Sequence, residues 1–456
     1  MGVVCVHALG RAARIRTPGG GGTPVVTPIS SPLAFDVEVV RAHFPALAVE
    51  HDGRPVVRLD GPGGTQVPRQ TIEAIAGYLG RDNANTYGRF AASEATDALL
   101  AEVRQATADF LGAGDPGEIA FGANMTTLAF GLSRALGPTL RRGDEIVVTR
   151  LDHDANVAPW LRLAEEQGAV VRWVDVKLDD CTLDLAGLER QLGRRTRLVA
   201  VGLASNAVGT INDVARIAAL AHDAGAWCVV DAVHACPHLP VDVAALGADL
   251  LLCSPYKFFG PHLGVLWGRR ELLERLPVAK VRPAPDGLPG RWETGTGNHE
   301  ALAGLLGTFA YLEWLGAEWG GERSGPHGPT GRRARLVAAM RAIRAYEGSL
   351  VPGLIEGLGA VRGLRIRGIT DAARLDERCP TVAFTLDGHH PAEISASLGR
   401  LGIATWDGDY YAYELVGALG LAETGGMVRV GLVHYNTAEE VERLVDALEQ
   451  LSRPRA

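Results

Sequence analysis

From about residue 60 onward, short apolar runs alternate with longer stretches of helical periodicity. The runs lie at residues 118–121, 145–149, 170–174, 198–203, 227–230 and 250–253. They are continuous in Val, Leu and Ile rather than alternating with polar residues, which is the pattern of strands buried on both faces. The helical stretches between them supply the crossovers of a mostly parallel sheet. Toward the C-terminus a strand pattern at 427–433 precedes a helix at 438–451. That helix opens with Thr437 three residues before Glu440, a capping box, and carries Val441, Leu444, Val445, Leu448 and Leu451 on one face. Residues 340–456 read as a smaller α/β domain, and the Gly-, Arg- and Pro-rich stretch 316–333 as a surface loop. Residues 1–32 contain Arg11, Arg14 and Arg16, a glycine run and no acidic residue, and read as a disordered extension.

Composition narrows the function classes. The 456 residues include 53 acidic and 45 basic ones, a net charge of -8. A phosphate backbone calls for a basic face, so a nucleic-acid partner is not expected. No apolar run approaches the ~18 residues of a membrane span, and the protein is expected to be cytoplasmic. Cys5, Cys181, Cys228, Cys236, Cys253 and Cys379 are scattered without metal-ligand spacing, as buried free thiols in a reducing compartment would be. Only three of the basic residues are lysines: Lys177, Lys257 and Lys280. Chemistry that needs a primary amine therefore has three candidate positions.

In open parallel sheets ligands bind at the carboxyl ends of the strands, so the polar residues that follow each run are the candidates. Thr126 and Thr127 open a helical run, where free N–H groups can hold a phosphate; taken alone, such a start is equally a plain N-cap. His153 follows the second run, and Ser205 and Asn206 follow the fourth, in what is also a turn sequence. Asp231 and His234 follow the fifth; an Asp ending a buried strand needs a partner, either a helix N-terminus or a cation. Ser254, Tyr256 and Lys257 follow the sixth, where a lysine can also simply reach solvent. Lys177 leads into Leu-Asp-Asp, and Lys280 sits in a connecting segment. Together the strand ends offer a phosphate cup, an aromatic ring, an acid and a lysine on one sheet edge. That set is what pyridoxal 5'-phosphate (PLP) requires.

The ordered motifs resemble the class V aminotransferases, in their cysteine desulfurase-like branch. The resemblance runs from about Phe35 to the end. It implies a fold-type-I PLP-dependent transferase: a large domain at 60–310 with a mostly parallel seven-stranded sheet, and a small domain of 33–59 with 311–456. It also implies PLP as cofactor, an amino-acid substrate and a homodimer with shared active sites. Thr126-Thr127 matches the phosphate turn, and His153 in Asp-His-Asp-Ala-Asn the ring-stacking, catalytic histidine. Asn206 and His234 match contacts to the ring hydroxyl, and Asp231 the pyridinium partner. In Ser254-Pro-Tyr256-Lys257, Lys257 matches the Schiff-base lysine and Ser254 a phosphate contact. Thr296 matches a threonine reaching the partner subunit's phosphate, and Arg429 the arginine that grips the substrate carboxylate.

Two positions depart from the family pattern. Tyr256 stands where many relatives have a histidine. In the loop 402–412 Tyr411 occupies the place of the cysteine that receives sulfur in the nearest desulfurases, and none of the six cysteines falls there. Lyase or transferase chemistry on an α-amino acid is expected, without the usual loop persulfide. Aminotransferase or epimerase chemistry, or an inactive PLP-fold binding protein, are the alternatives.

Overall fold

The structure is a computed structural model that describes residues 35–320 and 330–453; the expected extension at 1–32 lies outside them. Seven strands form the central sheet: β1 (Ile119–Gly122), β2 (Glu145–Thr149), β3 (Val170–Val174), β4 (Thr196–Gly202), β5 (Trp227–Asp231), β6 (Leu250–Cys253) and β7 (Gly264–Gly268). Their order is β1-β7-β6-β5-β4-β2-β3, with β7 antiparallel to both its neighbours and the remaining pairs parallel. The period-2 geometry of each strand sends alternate residues to opposite faces. Val199, Val201, Val230 and Leu251 enter one core, while Leu198, Ala200, Val229, Leu250 and Leu252 enter the other. A sheet covered on both sides explains why the strands read as continuous apolar runs.

A second sheet is antiparallel: β8 (Leu364–Arg367), β9 (Thr381–Leu386), β10 (Trp406–Gly408) and β11 (Met427–Gly431), in the order β8-β9-β11-β10. Val57–Arg58 pairs in parallel with Ile403–Ala404, and Val57 and Leu59 share a third core with Phe384, Val430 and Leu444. The segment just before residue 60 thus packs with the C-terminal sheet. Four helices matter below: α1 (Met125–Leu136), α2 (His299–Trp319), α3 (Arg332–Ala360) and α4 (Ala438–Ser452). α3 bridges the two sheets' cores, placing Leu336, Met340 and Ile343 in one and Leu354 and Leu358 in another.

Two sequence expectations change. The stretch 316–333 is not all loop, because its first residues complete α2 and its last begin α3, while 321–329 lie outside the described residues. Gly316 belongs to a helix crossing: a Cβ there would run into the Arg335 carbonyl, so glycine permits the close approach of α2 and α3. The stretch 402–412 likewise contributes Ile403–Ala404 and β10, strands too short to show a period. The capping box of α4 is present, with Thr437 Oγ1 accepting from the Glu440 N–H and the Glu440 carboxylate from the Thr437 N–H, each at 3.3 Å.

Candidate active site

The carboxyl ends of β4, β5 and β6, the turn after β2 and the start of α1 converge on one cleft. Asn124 caps α1, its Oδ1 accepting from the Thr127 N–H at 2.8 Å and the Thr127 hydroxyl at 2.9 Å. Helix starts leave backbone N–H groups free for an anion, and Asn124, Met125 and Thr126 line the cleft. Gly264 of β7 makes room for this turn, since a Cβ there would sit 2.8 Å from the Met125 nitrogen and closer still to the Asn124 carbonyl.

Lys257 follows β6 through a single turn and donates from Nζ to the Pro62 carbonyl; its Nζ also lies 4.9 Å from the Tyr256 ring centroid. Burial pushes the amine down to about 7, with the Arg429 charge adding to the effect and Asp231 opposing it. Asp231 ends β5 with Oδ1 accepting from the Val233 N–H at 2.8 Å. Burial raises its carboxyl to about 6 against the pull of that hydrogen bond and of Lys257. Nearby Asp152 is raised to about 8 by burial and by the Asp231 charge, while accepting from the Gly202 N–H at 2.8 Å. His153 accepts at Nδ1 from the Ala155 N–H at 3.0 Å, and burial followed by the Lys257 and Arg429 charges lowers it to about 4. Its ring is therefore neutral at physiological pH.

Arg429 rises from β11, donates from Nη1 to the Asn206 carbonyl at 2.7 Å and lies 4.3 Å from the Tyr410 ring centroid. Asn206 donates from Nδ2 to the Tyr410 carbonyl at 2.9 Å. Three buried polar atoms of this neighbourhood have no partner among the described residues: Asn206 Oδ1, His234 Nε2 and Arg429 Nε. Buried polar groups are nearly always satisfied, so their convergence marks a place for a polar ligand.

The sequence model of aminotransferase class-V matches residues 57–324 and 333–444. The chain belongs to the aminotransferase class-V family. Among its relatives, a probable cysteine desulfurase of Streptomyces coelicolor is 32% identical, the match covering 92% of this chain and 98% of that protein. A probable cysteine desulfurase of Mycolicibacterium paratuberculosis is also 32% identical over 92% of this chain, which spans 58% of that longer protein. The apo structure of a cysteine desulfurase from Thermococcus onnurineus superposes with a TM-score of 0.79 at 29% identity, covering 91% of this chain and 98% of that one. The likeness gives the fold-type-I architecture of the class-V family, with a large, mostly parallel sheet.

Of the residues singled out by class-V resemblance, Thr126, His153, Asn206, Asp231, His234, Ser254, Tyr256 and Lys257 line the one cleft. Arg429 reaches its edge through Asn206. Thr127 does not line it, its hydroxyl being held by the Asn124 cap, and Thr296 lies exposed in the segment before α2. Sequence reasoning passed over Asn124, Asp152 and Pro62. The Asn124 cap was legible as a capping residue directly before the apolar helical run. Asp152 stands next to His153 but carries no periodic signal, and Pro62 acts through its carbonyl, which no side-chain motif reveals.

Proposed function

We propose that this class-V chain is a PLP-dependent enzyme acting on an α-amino acid, a lyase or transferase of the cysteine desulfurase-like type that works without the loop persulfide. The observation that carries the reading is the meeting of a near-neutral buried lysine, a buried carboxylate and unpartnered polar atoms in one cleft. These residues fit the cofactor. Lys257 would hold it covalently, and the free N–H groups opening α1, with Thr126 and Ser254, would hold its phosphate. Asp231 forms no ion pair among the described residues, and a protonated ring nitrogen would supply one. Asn206 Oδ1 and His234 Nε2 would bond the ring hydroxyl, and the neutral His153 ring would stack on the pyridine. PLP, when bound, withdraws electrons from the carbon that bears the substrate amine.

The residues of the chain then divide the work. Lys257, as a free amine held near neutrality, is suited to take a proton from that carbon and return one. Arg429, nearly buried, offers a bidentate grip to a substrate carboxylate. Tyr411 stands where the sulfur-accepting cysteine would be, with its ring 5.3 Å from that of His153 and 70% exposed to solvent. A phenol cannot carry a persulfide, so sulfur, if it is the group removed, leaves as free sulfide. A homodimer is part of the proposal, because Thr296, which matches a threonine of the partner-reaching segment, is exposed and does not line its own cleft.

The test is purification with added PLP, visible absorption spectroscopy and a product screen over amino acids for sulfide, alanine, pyruvate and keto acids. Wild type is expected to be yellow, Lys257→Ala colourless, and at least one amino acid to turn over. A colourless wild type would leave a PLP-fold binding protein instead. Keto acids or inverted stereochemistry as sole products would make it an aminotransferase or an epimerase.

A further inference from the structure

Behind the cleft lies a buried polar chain of which the proposed chemistry uses only the His234 end. The turn after β5 is closed by the Cys236 N–H to the Ala232 carbonyl at 2.9 Å and the Leu239 N–H to the Ala235 carbonyl at 2.9 Å. It stacks His234 and His238 one helical turn apart, with ring centroids 5.3 Å apart at 65°. His238 Nδ1 lies 2.8 Å from Glu347 Oε2, and the two side chains are 3% and 2% exposed. Glu347 belongs to α3, between the residues that enter the central core and those that enter the core of the second sheet.

A buried His–Glu pair is weak as a device for stability, because apolar residues of similar volume serve a core as well or better. Its distinctive property is direction. A carboxylate at Nδ1 fixes both the tautomer and the ring plane of a histidine, much as carboxylates orient metal-bound histidines. The fixed His238 ring in turn packs edge-to-face on His234, the residue whose Nε2 is left without a partner at the cleft. We infer that Glu347 is a positioning residue: through His238 it holds the His234 ring with Nε2 presented to the PLP-binding cleft. The inference rests on the proposed PLP reading, and it couples the cofactor site to the helix that bridges the two sheets.

The test measures PLP affinity of the full-length apo-protein by absorbance or fluorescence titration, with thermal unfolding of the same samples as a control. Glu347→Leu is expected to weaken PLP binding about tenfold and to shift the visible absorption maximum of the loaded protein. Glu347→Gln keeps an acceptor oxygen but loses the charge, and is expected to weaken PLP binding by about threefold. In a His234→Ala background neither change should weaken binding further, since coupled residues are non-additive. Equal losses with and without His234, or a lowered unfolding temperature with PLP affinity and spectrum unchanged, would overturn the assignment. If Glu347→Leu does not fold, Glu347→Gln decides: a threefold loss that vanishes without His234 supports the inference, and unaltered affinity refutes it. Wild type that fails to bind PLP at all would instead refute the functional reading on which this one rests.

Discussion

Lys257 illustrates how burial makes a reagent of a residue that is otherwise a point charge. Desolvation and the Arg429 charge bring its amine to about 7, so half of it is neutral, and nucleophilic, near physiological pH. The rate of PLP uptake, followed by stopped-flow absorbance, should climb about tenfold per pH unit below 7 and level off above 8. A rate still climbing at pH 9 would mean that the amine keeps its ordinary value. Asp231 works in the opposite sense. Its carboxyl is raised to about 6 in the folded chain against the ordinary 3.8 of an aspartate in water, so between these values the native state binds more protons than the unfolded one. The contribution of Asp231 to the stability of the apo-protein therefore falls as pH rises through that window, by about 3 kcal/mol for a shift of this size. Asp231→Asn cannot ionise. It should raise the unfolding temperature of the apo-protein at pH 8 relative to wild type while cutting turnover at least 100-fold, checked by calorimetry and a product assay. A variant that is both active and unstabilised would remove Asp231 from its proposed role.

Between the central sheet and the cleft, function depends on how closely elements approach. The start of α1 is seated against β7 where Gly264 leaves no side chain, and a methyl group there meets the Asn124 and Met125 backbone. Gly264→Ala should push the helix start away, weakening PLP binding at least tenfold and costing about 1–3 kcal/mol of stability from overpacking, measurable by titration and denaturation. The aromatic loop is held just as closely. Tyr410 and Tyr411 are consecutive non-glycine residues in the left-handed region, with φ of 55° and 59°. Such conformations persist only where surrounding contacts enforce them. Here the Asp409 carboxylate accepts from the Tyr411 N–H at 2.9 Å, Asn206 holds the Tyr410 carbonyl at 2.9 Å, and the Asp154 N–H donates to the Tyr411 carbonyl at 2.7 Å. The loop is thus held in one conformation and tied to two of the proposed binding residues, Asn206 and Arg429.

For the molecule as a whole, the proposed homodimer, with Thr296 reaching the partner's site, predicts that sedimentation gives a dimer under conditions where PLP is bound. A monomer that holds PLP fully would remove Thr296 from the site. Much of this architecture was legible in the chain by itself. Continuous apolar runs identified six of the seven central strands because both faces of that sheet are covered, while β7 was passed over; the scarcity of lysine left Lys257 as the amine that follows a buried strand. The capping box of α4 was read correctly because its residues are sequence neighbours. The helical ends of 316–333 and the edge strand β10 were not legible: a glycine that serves close helix packing looks like a loop glycine, and a three-residue strand has no period. Residue types and their order along the chain thus determined the chemistry on offer: a lysine, an acid and a phosphate cup at strand ends. The fold alone decided which groups share one desolvated space, since burial sets the charge of Lys257, Asp231 and His153, and only long-range packing brings Pro62, Asn206 and Arg429 within reach of them.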